Sequence, residues 1–406
     1  MKLGVITTSY PRFPGDPAGS FVAGHVEAMR ALGHDVEVIA AGDRPAARAA
    51  YPHAAYPHAA HAAHAAHAGD ADDATPRQPG AVIRVGGAGL FYRGGAPDAL
   101  ERAPLAAGAA AAVFTARLIA EVARHARRWD AMFAHWLVPS AIAALPGARP
   151  LVAIVHGGDL FTLRRLRLLR PVLGALHRRR AHLVFVGEHL RAIARDAAPA
   201  LAPWLERATI QPMGISLAHA TALAAARRVQ PGPRPARPII LVVARLVPIK
   251  GVDVAIAAMA HVTAAAELVI AGDGPERARL SALSASPAAP RWRLLGEVTA
   301  AERDALLVRA AAVVVPSRVL PNGRTEGTPL IALEALAAGV PVIASAVGGL
   351  AELPGVIPVA PDDPAALGRA IDRVLADPPD PDALRAGVAG LDRGAVATRL
   401  LALLRE

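Results

Sequence analysis

The stretch Glu326-Gly327-Thr328-Pro329-Leu330-Ile331-Ala332-Leu333-Glu334 decides the reading of this chain. Seven residues separate two carboxylates, and Gly327-Thr328-Pro329 stands between them. Thr328 is a good N-cap and Pro329 suits the first helical position, so the pattern predicts a helix from here to Gly339, which stops it. Glu326 then lies in the loop before the helix, and Glu334 about a turn and a half inside it. Glu334 is the only charged residue between Glu326 and Glu352. An ionised carboxylate in so apolar a setting needs a partner. A vicinal diol, such as that of a ribose, suits a carboxylate, which accepts two hydrogen bonds side by side. The nearby helix N-terminus would attract a diphosphate. One segment thus offers places for a sugar, a phosphate and a ribose.

Working outward, alternating apolar runs read as strands and helices of parallel α/β units. In the first half, residues 2–8, 35–40, 131–134, 151–155 and 183–186 read as strands, with a Pro- and Gly-bearing loop at 10–19 and an amphipathic helix at 20–32 closed by Gly33. A Pro- and Arg-rich segment at 229–238 reads as a linker. Beyond it, strands are expected at 239–244, 266–271, 293–295, 312–315 and 340–345. The expectation is an α/β chain of two doubly wound, Rossmann-like domains facing a ligand cleft at the carboxyl ends of their strands. The boundaries fall at 1–213 and 214–392, with a terminal amphipathic helix, 393–406, packing back on the first domain.

The 406 residues suit two domains, and a hydrophobic content of 53% supplies their cores, although alanine makes up much of it. Cysteine is absent, which excludes disulfides and thiolate metal sites. The first 41 residues do not resemble a signal peptide, and runs such as 103–116 are cut by Pro or Arg short of a membrane span, so a cytoplasmic chain is expected. The net charge is +10, carried almost entirely by Arg, with Lys only at positions 2 and 250. Affinity for anions follows, whether sugar nucleotides or anionic lipid. Nucleic acid is disfavoured, because aromatics are only 4% and no stacking motif appears.

Two further features stand out. His58, His61, His64 and His67 recur in a Tyr-, Pro-, His- and Ala-rich tract at 51–68, which reads as a repeat in a surface loop more readily than as a metal site. Asp70-Ala71-Asp72 beside it matches a metal–nucleotide pattern by chance, and no metal is expected. Arg164, Arg165, Arg167, Arg170, Arg178, Arg179 and Arg180, interleaved with Leu163, Leu166, Leu168 and Leu169, form a basic helical stretch of the kind that lies on anionic lipid.

The second half resembles the nucleotide-sugar domain of glycosyltransferase family 4, the retaining GT-B enzymes also called glycosyl transferases group 1. The two glutamates at 326 and 334 carry the main match. Val243-Ala244-Arg245-Leu246 with Lys250-Gly251, the turn Ala271-Gly272-Asp273-Gly274-Pro275, Val315-Pro316-Ser317, residues 338–344 and Gly348-Gly349 add to it. The first half is similar through its glycine loop, His135-Trp136 and His156-Gly157-Gly158-Asp159, and the last helix is similar to the family's crossover helix. The resemblance leaves out about 45–80.

The resemblance implies roles. Arg245 and Lys250 would neutralise the departing diphosphate. Glu326 would hold hydroxyls of the transferred sugar and Glu334 those of the ribose. Backbone around Thr328, Pro329, Leu330 and Ile331 would receive the distal phosphate, with Gly15 or Gly19 letting the first domain's loop approach it. Gly274 belongs to the matching turn, and Val298, in Gly296-Glu297-Val298, to the segment that reads the base. His156 would contact the donor sugar, with His135 a weaker prospect, and Asp159 would orient sugar or acceptor. The activity implied is transfer of a sugar from a nucleoside diphosphate to an acceptor hydroxyl of a glycan, lipid or small molecule. Configuration would be retained, and neither metal nor cofactor would be needed beyond the donor as co-substrate. Ser216 and the stretch 319–324 depart from the family's pattern.

Alternatives from other classes are a GT-B nucleotide-sugar epimerase and a non-catalytic carbohydrate- or lipid-binding scaffold. A pyridoxal-dependent phosphorylase lacks a suitable Lys, and a dinucleotide oxidoreductase lacks a Gly-x-Gly-x-x-Gly turn after the first strand.

Overall fold

The apolar runs form two parallel sheets. In the computed structural model, residues 1–13, 15–42, 82–92, 99, 103–229, 237–283 and 291–405 are described. The His-rich tract and Asp70-Ala71-Asp72 lie outside them. The first domain carries β1 (Lys2–Thr7), α1 (Ser20–Ala31), β2 (Asp35–Ala40), β3 (Val82–Arg84), α2 (Pro104–His125), β4 (Ala131–His135), β5 (Leu151–Val155), α3 (Gly158–Arg165), α4 (Leu169–Arg178), β6 (His182–Phe185), α5 (Glu188–Ala197) and β7 (Thr209–Ile210). The second carries α6 (Leu217–Val229), β8 (Ile239–Val243), α7 (Val252–Ala258), β9 (Glu267–Ala271), β10 (Trp292–Gly296), α8 (Ala300–Arg309), β11 (Ala310–Val315), α9 (Leu330–Ala337), β12 (Val342–Ser345), β13 (Val356–Val359) and α10 (Pro364–Ala376), and α11 (Arg393–Ala402) follows. Strand order is β3-β2-β1-β4-β5-β6-β7 in one sheet and β10-β9-β8-β11-β12-β13 in the other. This is the doubly wound GT-B architecture the sequence led us to expect.

Strand β8 shows why the runs are apolar throughout. Ile239 and Leu241 pack with Leu333 and Leu336 on one face of the sheet, and Ile240 and Val242 with Val252 and Leu367 on the other. Successive side chains alternate faces, and helices cover both. Strand order reverses at β1/β4 and at β8/β11, which places a crevice at the carboxyl ends of each sheet.

The chain crosses between domains twice, side by side. The Ile215 amide donates to the Leu391 carbonyl and the Arg393 amide to the Ile215 carbonyl, both at 2.9 Å. Helix α11 then lies on α1, with Val396, Ala397, Leu400 and Leu401 joining the first domain's core. Burial of each larger side chain stabilises this return by about 1.5–3 kcal/mol. Ser216 accepts the His219 amide and so caps α6.

Two expectations are corrected. The basic stretch is two helices, α3 and α4, parted by a turn in which Arg167 takes φ 57°. The segment Leu105–Arg128 is long and apolar enough by length and composition to cross a membrane, contrary to the expectation that Arg would cut it short. Phe114, Leu118 and Val122 turn one stripe of it into the first domain's core.

Candidate functional site

Helix α9 begins one residue later than its sequence suggests. Pro329 is its N-cap, with φ −62° and ψ 124°, and no side chain caps the first turn. Thr328 is occupied elsewhere: its hydroxyl donates to the Val186 carbonyl of the first domain at 2.9 Å. The backbone amides of Leu330 and Ile331 therefore open the helix, where its dipole favours an anion. The sequence from Ala338 supplies the stop, and Gly339 takes φ 69° as the helix ends.

Glu326 precedes this helix and meets Lys250, which a short turn after β8, Pro248–Lys250, brings to it. Lys250 Nζ lies 3.0 Å from Glu326 Oε2, and both side chains are largely buried. The segment carrying Glu326 is held from behind by Gly348-Gly349: a Cβ on Gly348 would stand 2.1 Å from the Glu326 carbonyl oxygen. Only glycine permits so close a backbone approach. Arg245 lies exposed in the loop after β8. That loop is tied to the turn after β9 by the Leu246 amide, which donates to the Asp273 carbonyl at 2.9 Å. Gly274 belongs to the tie, since a Cβ there would stand 2.5 Å from the Leu246 carbonyl oxygen. Close packing at Gly274 thus positions the Arg245 loop.

Glu334 has the partner its apolar setting demands. Arg303, one turn into α8, places Nη1 3.3 Å from Glu334 Oε2 and also binds Asp304. Burial raises the pKa of Glu334, while Arg303 opposes the rise. Arg303 escaped the sequence reading because no spacing rule links two helices 31 positions apart. Val298 sits half-exposed after β10, just before Thr299 caps α8 in a capping box with Glu302. Residues 319–324 form a tight turn, with the Leu320 amide donating to the Arg324 carbonyl at 2.8 Å.

The first domain meets these groups closely. A Cβ on Gly327 would stand 2.8 Å from the His156 carbonyl oxygen. Glu352 crosses the cleft: its Oε2 accepts the Glu188 amide and its Oε1 the His189 amide, both at 2.7 Å. Helix α5 has no side-chain cap of its own, so a carboxylate from the other domain supplies it. In the loop after β1, Gly15 takes φ 85° and has nothing within 4 Å of a Cβ, which leaves room for a ligand. A Cβ on Gly19 would collide with Ser9 backbone, and its φ of 69° turns the loop back into α1.

His156 stacks on His135 at 5.2 Å between ring centroids and touches Trp136 and Phe21. Burial lowers its pKa to about 3. Trp136 is held at φ 73°, a strained value for an aromatic residue. Asp159 plays a part the sequence did not suggest. It is buried, and its two oxygens accept the Leu137 amide at 2.6 Å and the Gly157 amide at 2.9 Å. It braces the loops after β4 and β5 and so positions Trp136 and His156, while burial raises its pKa to about 6. Both carboxylate oxygens thus serve backbone amides.

Comparison with known proteins bears on family and fold. A sequence profile described as Glycosyl transferases group 1 matches residues 237–377. Glycogen synthase of Mycobacterium tuberculosis is 40% identical over 162 residues, 38% of this chain and 37% of the relative. The chain thus matches little more than a third of that relative's length. Among solved structures, sucrose-phosphate synthase of Thermosynechococcus elongatus aligns over 100% of this chain and 98% of its own with a TM-score of 0.68 at 22% identity. HepE of Anabaena, solved with UDP, aligns over the whole of both chains with a TM-score of 0.67 at 16% identity. These two likenesses bear on the fold.

Proposed function

The second domain belongs to glycosyl transferases group 1 within a GT-B architecture, and on that premise we propose that the chain is a retaining glycosyltransferase. It moves a sugar from a nucleoside diphosphate to an acceptor hydroxyl. The observation that carries this reading is the Lys250–Glu326 pair, 3.0 Å apart beside the uncapped N-terminus of α9. An ammonium and open amides suit the diphosphate, and the carboxylate suits sugar hydroxyls. Glu334 suits the ribose. That HepE binds UDP supports a nucleoside diphosphate here.

In this mechanism negative charge grows on the leaving diphosphate, and Arg245, Lys250 and the α9 dipole stabilise it. The sugar becomes oxocarbenium-like. The acceptor hydroxyl attacks from the face the diphosphate leaves, and the departing phosphate takes its proton. Neither metal nor cofactor enters the scheme. Titration calorimetry with UDP, GDP, ADP, dTDP and CDP, followed by NMR of the product anomer, tests the reading. Binding of none of them, or an inverted product, refutes it. An altered donor formed without acceptor would favour an epimerase.

We further propose that the acceptor is reached at an anionic lipid surface, with the enzyme in the cytoplasm. In the turn between α3 and α4, Leu166 and Leu168 are 49% and 48% exposed among Arg164, Arg165, Arg167 and Arg170. Apolar tips ringed by guanidinium groups suit such an interface. Pelleting with acidic phospholipid vesicles tests this, and binding that is absent at low salt overturns it.

A further inference from the structure

Behind His156 lies a row of imidazoles that the transfer scheme leaves unused. His156 Nε2 is 3.0 Å from His135 Nδ1, and His135 Nε2 is 3.2 Å from His25 Nδ1. His135 ends β4 and His25 sits in α1; they are 0% and 3% exposed. The row is walled by Phe21, Phe133 and Trp136. His25 Nε2 has no hydrogen-bond partner among the described residues.

We infer that His25 and His135 are positioning residues that lock His156 in the tautomer carrying its proton on Nδ1, so that it presents an N–H donor to the cleft. Each neutral imidazole carries one ring proton, and each contact in the row needs one donor and one acceptor. Two arrangements satisfy both contacts. In one, His25 Nδ1–H donates to His135 Nε2, His135 Nδ1–H donates to His156 Nε2, and His156 Nδ1–H points onward. In the other every proton is reversed, and His25 Nε2–H is left buried with no acceptor. A buried donor without an acceptor is the rarer and costlier state, so the first arrangement wins. Burial favours the neutral form of all three rings. A fixed donor at His156 suits a hydroxyl or ring oxygen of the donor sugar. This assignment of purpose rests on the transfer reading, whereas the tautomer itself does not.

The test uses the full chain labelled with ¹⁵N at histidine and long-range ¹H–¹⁵N correlation at pH 7.5. His156 should show a protonated Nδ1 and a bare Nε2. His25→Asp, whose ionised carboxylate only accepts, should reverse the row, move the His156 proton to Nε2 and lower kcat about tenfold with little change in donor KM. His25→Asn, whose amide donates from nearly the place of Nδ1, should keep the wild-type tautomer and rate. A protonated Nε2 on His156 in the wild type overturns the inference, as does equal tautomer and rate in the Asp and Asn variants. If no transfer is found but Nδ1 is protonated, the transfer reading falls and the tautomer lock stands.

Discussion

The Glu352 carboxylate offers a direct handle on how the cleft closes. It accepts two first-domain amides at 2.7 Å and lies 3.0 Å from His189 Nδ1, at the otherwise uncapped N-terminus of α5. A helix cap is worth about 1 kcal/mol, and a negative charge at a helix N-terminus adds about 0.3–1 kcal/mol. Glu352 is about one-third exposed, at 32%, so solvent screening trims the sum to about 1 kcal/mol. These contacts exist only when the domains touch, so the whole amount biases closed against open. Glu352→Ala should therefore move that equilibrium about fivefold toward the open form. Small-angle X-ray scattering should show a larger radius of gyration without nucleotide, and donor KM should rise by a similar factor while kcat at saturation changes less. A variant with unchanged scattering and unchanged KM would refute the claim that this carboxylate clasps the domains.

Gly348→Ala places a methyl 2.1 Å from the Glu326 carbonyl oxygen, so the Glu326 segment must retreat by about 1 Å; transfer should fall about hundredfold with the fold retained by circular dichroism. Arg303→Met removes the group that opposes the burial-driven rise of the Glu334 pKa, so the carboxylate should be lost at higher pH. Donor KM should then climb earlier than in the wild type as pH falls, and superimposable KM–pH profiles would count against the ribose role. Burial lowers the His25 pKa to about 4, so the unfolded chain binds its proton first as pH falls below 6.5. Stability is complete above that pH and is lost below it, by about 2 kcal/mol through His25 at pH 5. Urea titration of His25→Phe and wild type should therefore show a smaller gap at pH 5 than at pH 7.5, and an equal gap would contradict burial of a neutral ring.

Strands covered on both faces were legible because their inward positions are apolar, and β2 and β5 match their expected bounds, 35–40 and 151–155. The strands that escaped, β3, β7 and β13, are edges of their sheets. An edge strand is short or tolerates Pro, as Pro358 in β13 shows, so its pattern is faint. The site divides in the same way. Glu326, Glu334 and Lys250 stand in local motifs, whereas their partners are set by topology. Lys250 reaches Glu326 across 76 positions, and His25 joins His135 across 110. Asp159 looked like a cleft residue because a carboxylate opening a helix has the same pattern whether it faces ligand or backbone. Thr328 likewise looked like a cap, and only the approach of Val186 from the other domain redirects its hydroxyl.

Two carboxylates of the cleft are each paired with a cation, and on the proposed function this shapes how a donor would enter. Lys250 neutralises Glu326, and Arg303 neutralises Glu334. A buried carboxylate stripped of its cation carries a desolvation cost that the lost partner had offset. A diphosphate that draws Lys250 away from Glu326 therefore leaves the carboxylate in need of donors, and the hydroxyls of the attached sugar supply them. A free nucleotide satisfies the ammonium and strands the carboxylate, and a free sugar does the reverse. The two halves of the donor are thus coupled through one ion pair, which gives an intact nucleotide sugar an advantage that neither fragment has alone. Under the proposed transfer the same exchange would return Lys250 to Glu326 once sugar and diphosphate had parted, so the pair that would admit the whole donor would also favour release of its pieces.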